Sequence, residues 1–287
     1  MKPPPFAYDA PRELEEALAL LARHGADAKV LAGGQSLVPL LNFRLARPAR
    51  LIDVNRVAGL GYLRRRDGVL RIGALTRAAA LERSRVVGLH WPLLHEAVRL
   101  SGHPQIRSRG TVGGSVAHAD PASELPAVLT ALGARFHLRS ARRERTVSAE
   151  GLFLGFLSTA LEPDELLVEI EVPMIPPRSG TAIVEHARTH GDFAVGGAAA
   201  VLTLDQGGGC ERAAIVLLAA GPAPRRAAAA EASLEGRPPS AKNLREAAAL
   251  AAAEVEAPFD REFRRALARE LAERALTKAA ARAKEAA

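Results

Sequence analysis

Residues 31–39 read LAGGQSLVP, and residues 103–126 read HPQIRSRGTVGGSVAHADPASELP. Each segment contains a Gly-Gly pair, at 33–34 and at 113–114, followed by small polar residues. Glycine has no Cβ, so its backbone can adopt positive φ and can come close to a ligand. Successive N–H groups in such a turn form a concave site for an anion. Two such segments suit two phosphates or one pyrophosphate, and a dinucleotide is the first ligand to consider.

Neither segment matches a common phosphate-binding fingerprint. The chain contains no G-x-G-x-x-G after a predicted strand and no G-x-x-x-x-G-K-[ST]. A single Gly-Gly pair is most often a tight turn, and each pair taken alone favours that interpretation. The presence of two pairs, together with the residues around them, favours a binding site.

The surroundings of both pairs resemble the flavin-binding segments of the FAD subunit of the molybdenum hydroxylases. This family includes the medium subunit of carbon monoxide dehydrogenase and resembles the flavin domain of xanthine dehydrogenase. The resemblance continues, in the family's order, through residues 72–76 (IGALT), 91–94 (WPLL), 165–170 (ELLVEI) and 191–194 (GDFA). It spans nearly the whole chain, and the segment 103–126 is its most specific part.

The resemblance implies an α+β fold. A two-subdomain FAD-binding domain of the PCMH type is followed by a C-terminal domain with a three-stranded antiparallel sheet and a helical bundle. Three prolines within residues 173–177 interrupt the pattern, and we place the domain boundary there. The expected domains are 1–177, with subdomains of about 1–55 and 56–177, and 178–287.

Local patterns predict individual elements. Leucines at 14, 18 and 21 predict a first helix over 12–24. Thr76 is interpreted as the cap of a helix that ends at residue 83, and Asp260 as the N-cap of the last helix. Three strands are expected over 182–188, 194–204 and 212–220.

The resemblance also implies how FAD is held. Backbone N–H groups of residues 32–36 and 111–115 would wrap the pyrophosphate and ribityl chain. Glu124 would contact a ribose hydroxyl or a nearby amide, the backbone near Leu167 would contact the ring edge, and Phe193 would shield one ring face. The predicted cofactor-binding residues are Ala32, Gly33, Gly34, Gln35, Ser36, Leu37, Thr111, Val112, Gly113, Gly114, Ser115, His118, Glu124, Leu167, Asp192 and Phe193.

Purely structural roles remain open for several of these residues. Thr111 and Ser115 would stabilise a turn, and Leu167 and Phe193 would pack in the core, roles that are compatible with binding. Xanthine dehydrogenases have a lysine after the GDFA stretch where this chain has Val195. We predict no catalytic side chain and no metal ligands, because FAD itself carries the redox chemistry.

Composition narrows the class of protein. The 287 residues carry a formal net charge of +7 and a single cysteine, Cys210. One cysteine excludes an internal disulfide and a four-thiolate iron–sulfur cluster within this chain. The sequence has no signal-like start and no uninterrupted apolar stretch of 18 residues, so we expect no membrane span and a cytoplasmic location.

The family therefore implies an electron-transfer subunit. Its expected partners are a molybdenum-pterin large subunit and a 2Fe-2S small subunit, in a dimer of heterotrimers, and an external acceptor such as NAD, quinone or oxygen. A stand-alone FAD-dependent oxidase or reductase is the first alternative. A basic nucleic-acid-binding protein is the second, although the sequence has no recognition motif and few aromatic residues for base stacking. A nucleotide-binding regulatory module without a redox role is the third.

Overall fold

The computed structural model describes residues 2–257 and 259–287. The chain begins with a small parallel sheet in the order β1-β3-β2, which packs against α1. Leu18 of α1 and Ile52 of β3 are buried in its core. The elements are β1 (Ala7–Asp9), α1 (Leu14–His24), β2 (Ala28–Leu31), α2 (Leu37–Asn42) and β3 (Arg50–Asp53).

An antiparallel sheet in the order β4-β5-β10-β6-β7 follows, packed against several short helices. Strands β8 and β9 form a separate hairpin. The elements are β4 (Leu63–Arg66), β5 (Val69–Gly73), α3 (Ala78–Arg83), α4 (Arg85–His90), α5 (Pro92–Leu100), α6 (Pro104–Arg109), α7 (Val112–His118), α8 (Glu124–Ala131), β6 (Arg135–Arg139), β7 (Glu144–Ser148), α9 (Ala149–Leu152), β8 (Phe153–Gly155), β9 (Ser158–Thr159) and β10 (Leu166–Pro173).

The C-terminal part is a three-stranded antiparallel sheet, in the order β11-β12-β13, followed by three helices. Every residue of β12 is buried because both faces of the sheet are covered. Ala199 belongs to the core shared with α8, and its neighbour Ala200 belongs to the core shared with α12. The elements are β11 (Ser179–His186), β12 (Gly196–Leu204), β13 (Cys210–Leu218), α10 (Ala228–Leu234), α11 (Ala241–Ala253) and α12 (Arg261–Glu285).

The main core joins the middle and C-terminal sheets. Trp91 is fully buried there, and its indole N–H donates to the carbonyl of Pro173 at 3.0 Å. On the other side of the C-terminal sheet, β11 crosses α12 in direct backbone contact. A Cβ built on Gly180 would lie 2.0 Å from the carbonyl oxygen of Ala279, so only glycine fits at this crossing.

The α+β class and the three-stranded antiparallel sheet of the C-terminal part agree with the sequence prediction. Of the two predicted caps, Thr76 is wrong, and Asp260 is correct in position only. The hydroxyl of Thr76 bonds the backbone of Tyr62, and α3 begins after Arg77 without a side-chain cap. Asp260 occupies the N-cap position of α12, as predicted, but it has a left-handed conformation, with φ +52°, and its side chain caps no N–H. In both cases the residue type suits a cap, and the path of the chain directs the side chain elsewhere.

Candidate functional site

The first glycine segment lies between the end of β2 and the start of α2. Gly34 has φ +74°, which turns the chain sharply after Gly33. Among the described residues, no acceptor bonds the backbone N–H groups from Gly33 to Ser36, whereas Gln35 donates its side-chain amide to the carbonyl of Gly33 at 3.1 Å. The segment therefore presents a run of free N–H donors, as an anion-binding turn requires.

The second glycine segment, here residues 111–115, is not a loop. It forms the first turn of α7, with Thr111 as N-cap accepting the N–H of Gly114 at 3.1 Å. The N–H groups of Val112 and Gly113 bond the carbonyls of Thr76 and Ala74, both at 2.9 Å. Because these N–H groups are bonded within the protein, contacts to a ligand from this segment fall to Gly114 and Ser115, which are both half-buried.

The two glycine segments pack directly on each other. A Cβ on Gly33 would lie 2.6 Å from the carbonyl oxygen of Arg109 and 2.7 Å from the Cα of Gly110. A Cβ on Gly113 would lie 2.6 Å from the Cβ of Ala74. At Gly33 and Gly113, the absence of a side chain allows two backbone segments to pack closely. Gly34 instead supplies the positive φ that the turn requires.

A polar network links the same two segments. The side-chain amide of Asn55 donates to the carbonyl of Ala32 and to the carboxylate of Asp53, both at 2.6 Å. Arg77 donates to the Asn55 side chain at 2.7 Å and to the carbonyl of Arg109. Arg77 and Asn55 therefore fix the distance between the segments, and neither was predicted from the sequence. The only signal in the sequence was their closeness to predicted strand ends.

The turn between α5 and α6 is fixed by buried charge. Arg107 is buried and forms a bidentate ion pair with Glu82, at 2.9 and 3.0 Å, and it donates to the carbonyl of Gly102 at 2.7 Å. Glu124, also buried, accepts a hydrogen bond from Ser101 at 2.5 Å. Burial raises the pKa of Glu124. The predicted residue Glu124 thus lies against the turn that leads into the second glycine segment.

The GDFA stretch rests on this same turn. Gly191 has φ +86°, and a Cβ there would lie 2.7 Å from the ring of His103. Asp192 accepts a hydrogen bond from Thr189 at 2.7 Å, which closes a short turn. Phe193 is 62% exposed, so the core-packing interpretation of this residue is wrong. A free aromatic side chain at this position is available to a ligand.

The side chain of His118 is partly accessible, whereas that of Leu167 is buried. His118 is the last residue of α7 and is half-buried; burial lowers its pKa, and Asp120 opposes that effect. Leu167 is buried in the main core, so only its backbone is available to a ligand. The ladder between β10 and β6 shifts register between Leu167 and Glu169, which leaves the backbone at that point outside the regular pairing.

A half-buried carboxylate that was not predicted from the sequence lies on β11. One carboxylate oxygen of Glu185, Oε2, is buried without a hydrogen-bond partner among the described residues. Burial and the charge of Glu124 raise the pKa of Glu185 to about 7. An unpaired acceptor of this kind suits a ligand that carries hydroxyl or amide donors.

Away from these segments, His137, Glu169 and Glu171 come together on the middle sheet with the atom types of a metal site. The Nε2 atom of His137 lies 3.3 Å from Glu171 and 3.8 Å from Glu169. Arg71 already pairs with both carboxylates, at 2.9 and 2.5 Å, and Tyr62 donates to Glu169 at 2.5 Å. An ion-pair network accounts for this cluster.

The residues present fit a dinucleotide. Free N–H groups at residues 33–36 suit a phosphate, the Ser115 hydroxyl and the unpaired Glu185 oxygen suit sugar or amide groups, and Phe193 suits a planar ring. The structure brings the two glycine segments into contact and places the GDFA turn against the residues before the second segment. These features define the class as a dinucleotide-binding protein built on paired glycine segments.

Comparisons with known proteins establish the family. The model of the FAD binding domain in molybdopterin dehydrogenase matches residues 4–175, and that of the CO dehydrogenase flavoprotein C-terminal domain matches residues 182–279. The 6-hydroxypseudooxynicotine dehydrogenase complex subunit alpha of Paenarthrobacter nicotinovorans is 51% identical over 221 residues, 77% of this chain and 75% of that protein. The carbon monoxide dehydrogenase medium chain of Afipia carboxidovorans is 37% identical over 99% of this chain and 100% of that protein.

A solved structure agrees with the sequence matches. Carbon monoxide dehydrogenase of Hydrogenophaga pseudoflava lacking the Mo-pyranopterin moiety superposes with a TM-score of 0.95 at 41% identity, covering 98% of this chain and 99% of that one. The chain therefore belongs to the FAD-binding medium subunits of the molybdenum hydroxylase family. These subunits are components of oxidoreductases, and their cofactor is FAD, as predicted. Across the described residues, no helix has the length and apolar character needed to cross a membrane.

Proposed function

We propose that this chain is the flavin subunit of a cytoplasmic molybdenum hydroxylase complex, and that it passes electrons from the iron–sulfur clusters of a partner subunit through FAD to an external acceptor. The complex would contain a molybdenum-pterin large subunit and a 2Fe-2S small subunit, arranged as a dimer of heterotrimers. NAD, quinone and oxygen are the candidate acceptors. The contact between Gly33 and the backbone of residues 109–111 carries the proposal, because it builds one binding surface from both glycine segments.

The residues of this chain bind and orient the cofactor in this proposal. The N–H groups of residues 33–36 hold the pyrophosphate, with Gln35 and Ser36 beside them. From the second segment, Ser115 and the surface at Gly114 contact the ribityl chain, while Thr111 shapes the turn. Asp192 and Phe193 border the ring, and Arg77 and Asn55 keep the two segments at a fixed distance.

Bound FAD supplies a carrier that accepts electrons singly and releases them in pairs. The protein needs no nucleophile or general base for that task, so its contribution is affinity, orientation and the exclusion of solvent. Glu124 and Glu185 accept hydrogen bonds from donor groups of the ligand. The backbone beside Leu167 contacts the edge of the flavin ring. His118 contacts the ligand directly or supports a residue that does.

Anaerobic mixing tests the proposal. The FAD-loaded chain is mixed with the reduced iron–sulfur subunit of its complex, freed of excess reductant, and the visible flavin absorbance is followed. We expect the absorbance to fall only when the reduced partner is added, and the chain without partners to oxidise no aldehyde, purine or carbon monoxide. Oxidation of an organic donor by the chain without partners would favour a stand-alone oxidase or reductase.

A further inference from the structure

Helix α2 and the turn after it expose apolar side chains that no other part of the described chain covers. Val38 is 42% exposed, Phe43 64% and Leu45 76%. We call these three residues, with Arg44 and Arg47, the α2 surface. Neighbouring large apolar side chains that remain exposed mark a site of association.

The backbone of this turn holds the side chains outward. The carbonyl of Leu40 accepts the N–H groups of Leu45 and Ala46, at 2.9 and 3.2 Å, which closes the turn tightly. Between Phe43 and Leu45, Arg44 has φ +58°, a conformation uncommon for a residue with a side chain. The turn is thus well defined, although the apolar side chains that it presents are exposed.

Charge indicates the kind of partner. No acidic residue occurs between Asp27 and Asp53, a stretch that contains four basic residues. Within the described parts of the chain, neither Arg44 nor Arg47 has a carboxylate within 4.0 Å. An apolar centre with basic residues beside it complements a partner surface whose apolar contact is bordered by acidic residues.

The α2 surface is continuous with the proposed cofactor site. The N–H of Val38 donates to the carbonyl of Gly34 at 3.0 Å, and a Cβ on Gly34 would lie 3.2 Å from the Val38 side chain. A protein seated on this surface therefore lies beside the first glycine segment. In the proposed function that segment holds the pyrophosphate, so a subunit seated on the α2 surface lies next to the bound dinucleotide.

We infer that the α2 surface is the docking site for the iron–sulfur subunit, which presents an acidic border around an apolar contact. The inference rests on the proposed function and names the surface through which the partner acts. A second copy of this chain is the other occupant that the experiment must distinguish.

The test compares two leucines of matched exposure. Leu45→Asp changes the α2 surface, and Leu89→Asp changes a leucine on α4 that is 75% exposed. The affinity of each variant for the iron–sulfur subunit, in its complex with the molybdenum subunit, is measured by calorimetry over a range of salt concentrations. We expect at least a tenfold loss of affinity for Leu45→Asp and less than a twofold change for Leu89→Asp.

Arg44→Glu provides a second variant, so the test does not depend on whether the Leu45→Asp variant folds. We expect it to weaken binding and to reduce the salt dependence of the dissociation constant. The inference would be overturned if both α2 variants bound the iron–sulfur subunit within twofold of the unmodified chain. It would also be overturned if the variants lost only the association between copies of this chain and still bound the iron–sulfur subunit. Failure of the unmodified chain to bind the partner would overturn the proposed function itself and the inference with it.

Discussion

Gly33 holds the two halves of the cofactor site together because nothing larger fits between it and the backbone of Arg109 and Gly110. We predict that Gly33→Ala weakens FAD binding by at least tenfold, a loss of ~1.4 kcal/mol. The added Cβ must push the segments apart, since its closest contacts are backbone atoms that cannot rotate away. FAD content per chain in the purified complex, measured after acid release, checks this.

Gly155→Ala is the control for this substitution. Gly155 lies in the hairpin of β8 and β9, and a Cβ there meets nothing within 4 Å. Full FAD content is expected for this variant. Equal FAD content in both alanine variants would mean that the contact at Gly33 does not shape the site.

Glu185 gives the chain a pH-dependent weakness. Its pKa in the folded protein is raised to about 7 by burial and by Glu124, so the folded state favours the protonated form. Stability from this group is fully present below the ordinary glutamate pKa of about 4.5 and is lost as pH rises through about 7. We predict that Glu185→Gln raises Tm relative to the unmodified chain by an amount that grows from pH 5 to pH 8.

Thermal unfolding of the two proteins side by side measures this difference. The comparison cancels titrating groups that do not interact with Glu185, including His118, whose lowered pKa gives the opposite slope in part of this range. A Tm difference that stays constant between pH 5 and pH 8 would show that Glu185 does not titrate there.

At this scale, residue patterns indicated part of the site. The glycine pairs were recognisable from their residue types, and the GDFA stretch was recognisable through the resemblance to the family. Asn55 and Arg77 were not recognisable, since each works through a contact with a segment distant in the chain. The Oε2 atom of Glu185 likewise lacks a hydrogen-bond partner only because folding buries it.

At the scale of elements, one crossing governs the C-terminal part. The backbone of Gly180 on β11 touches that of α12, where a Cβ would lie 2.0 Å from Ala279 and 2.3 Å from Ala283. We predict that Gly180→Ala lowers the free energy of unfolding by about 1–3 kcal/mol or more, because strand and helix must separate. Denaturant unfolding, with Gly61→Ala as a control in open surroundings, measures the loss. An unchanged midpoint would mean that the crossing relaxes freely.

Periodicity predicted the longer elements well, and short ones less well. The three C-terminal strands were expected within a few residues of their observed ends because alternating or continuous apolar runs mark buried strands. The helix α7 was missed, because two glycines in its first turn indicate a loop. Its stability comes from the Thr111 cap and from the carbonyls of Ala74 and Thr76, which are supplied by the end of β5 and the turn after it.

At the scale of the whole molecule, an ion pair between described residues links the C-terminal helix to the middle region. Arg282 of α12 donates to Glu96 of α5 at 2.7 Å and to the carbonyl of Thr181 at 2.6 Å. Both charged side chains are partly exposed, so we predict a coupling energy below about 1 kcal/mol in a double-mutant cycle of Arg282→Gln and Glu96→Gln. A coupling of several kcal/mol would show that charge, rather than the shared apolar core, holds these regions together.

Among the parts of the chain that form the proposed site, three lie far apart in sequence: the turn after β2, the start of α7 and the GDFA turn. Its parts meet only after loops of more than seventy residues have closed, and contacts between such distant residues form slowly. On the ribosome, nothing complete enough to hold the cofactor can exist until residue 193 has emerged. We therefore expect flavin loading to be a late step in the life of each new chain, one that cannot precede synthesis of the GDFA turn.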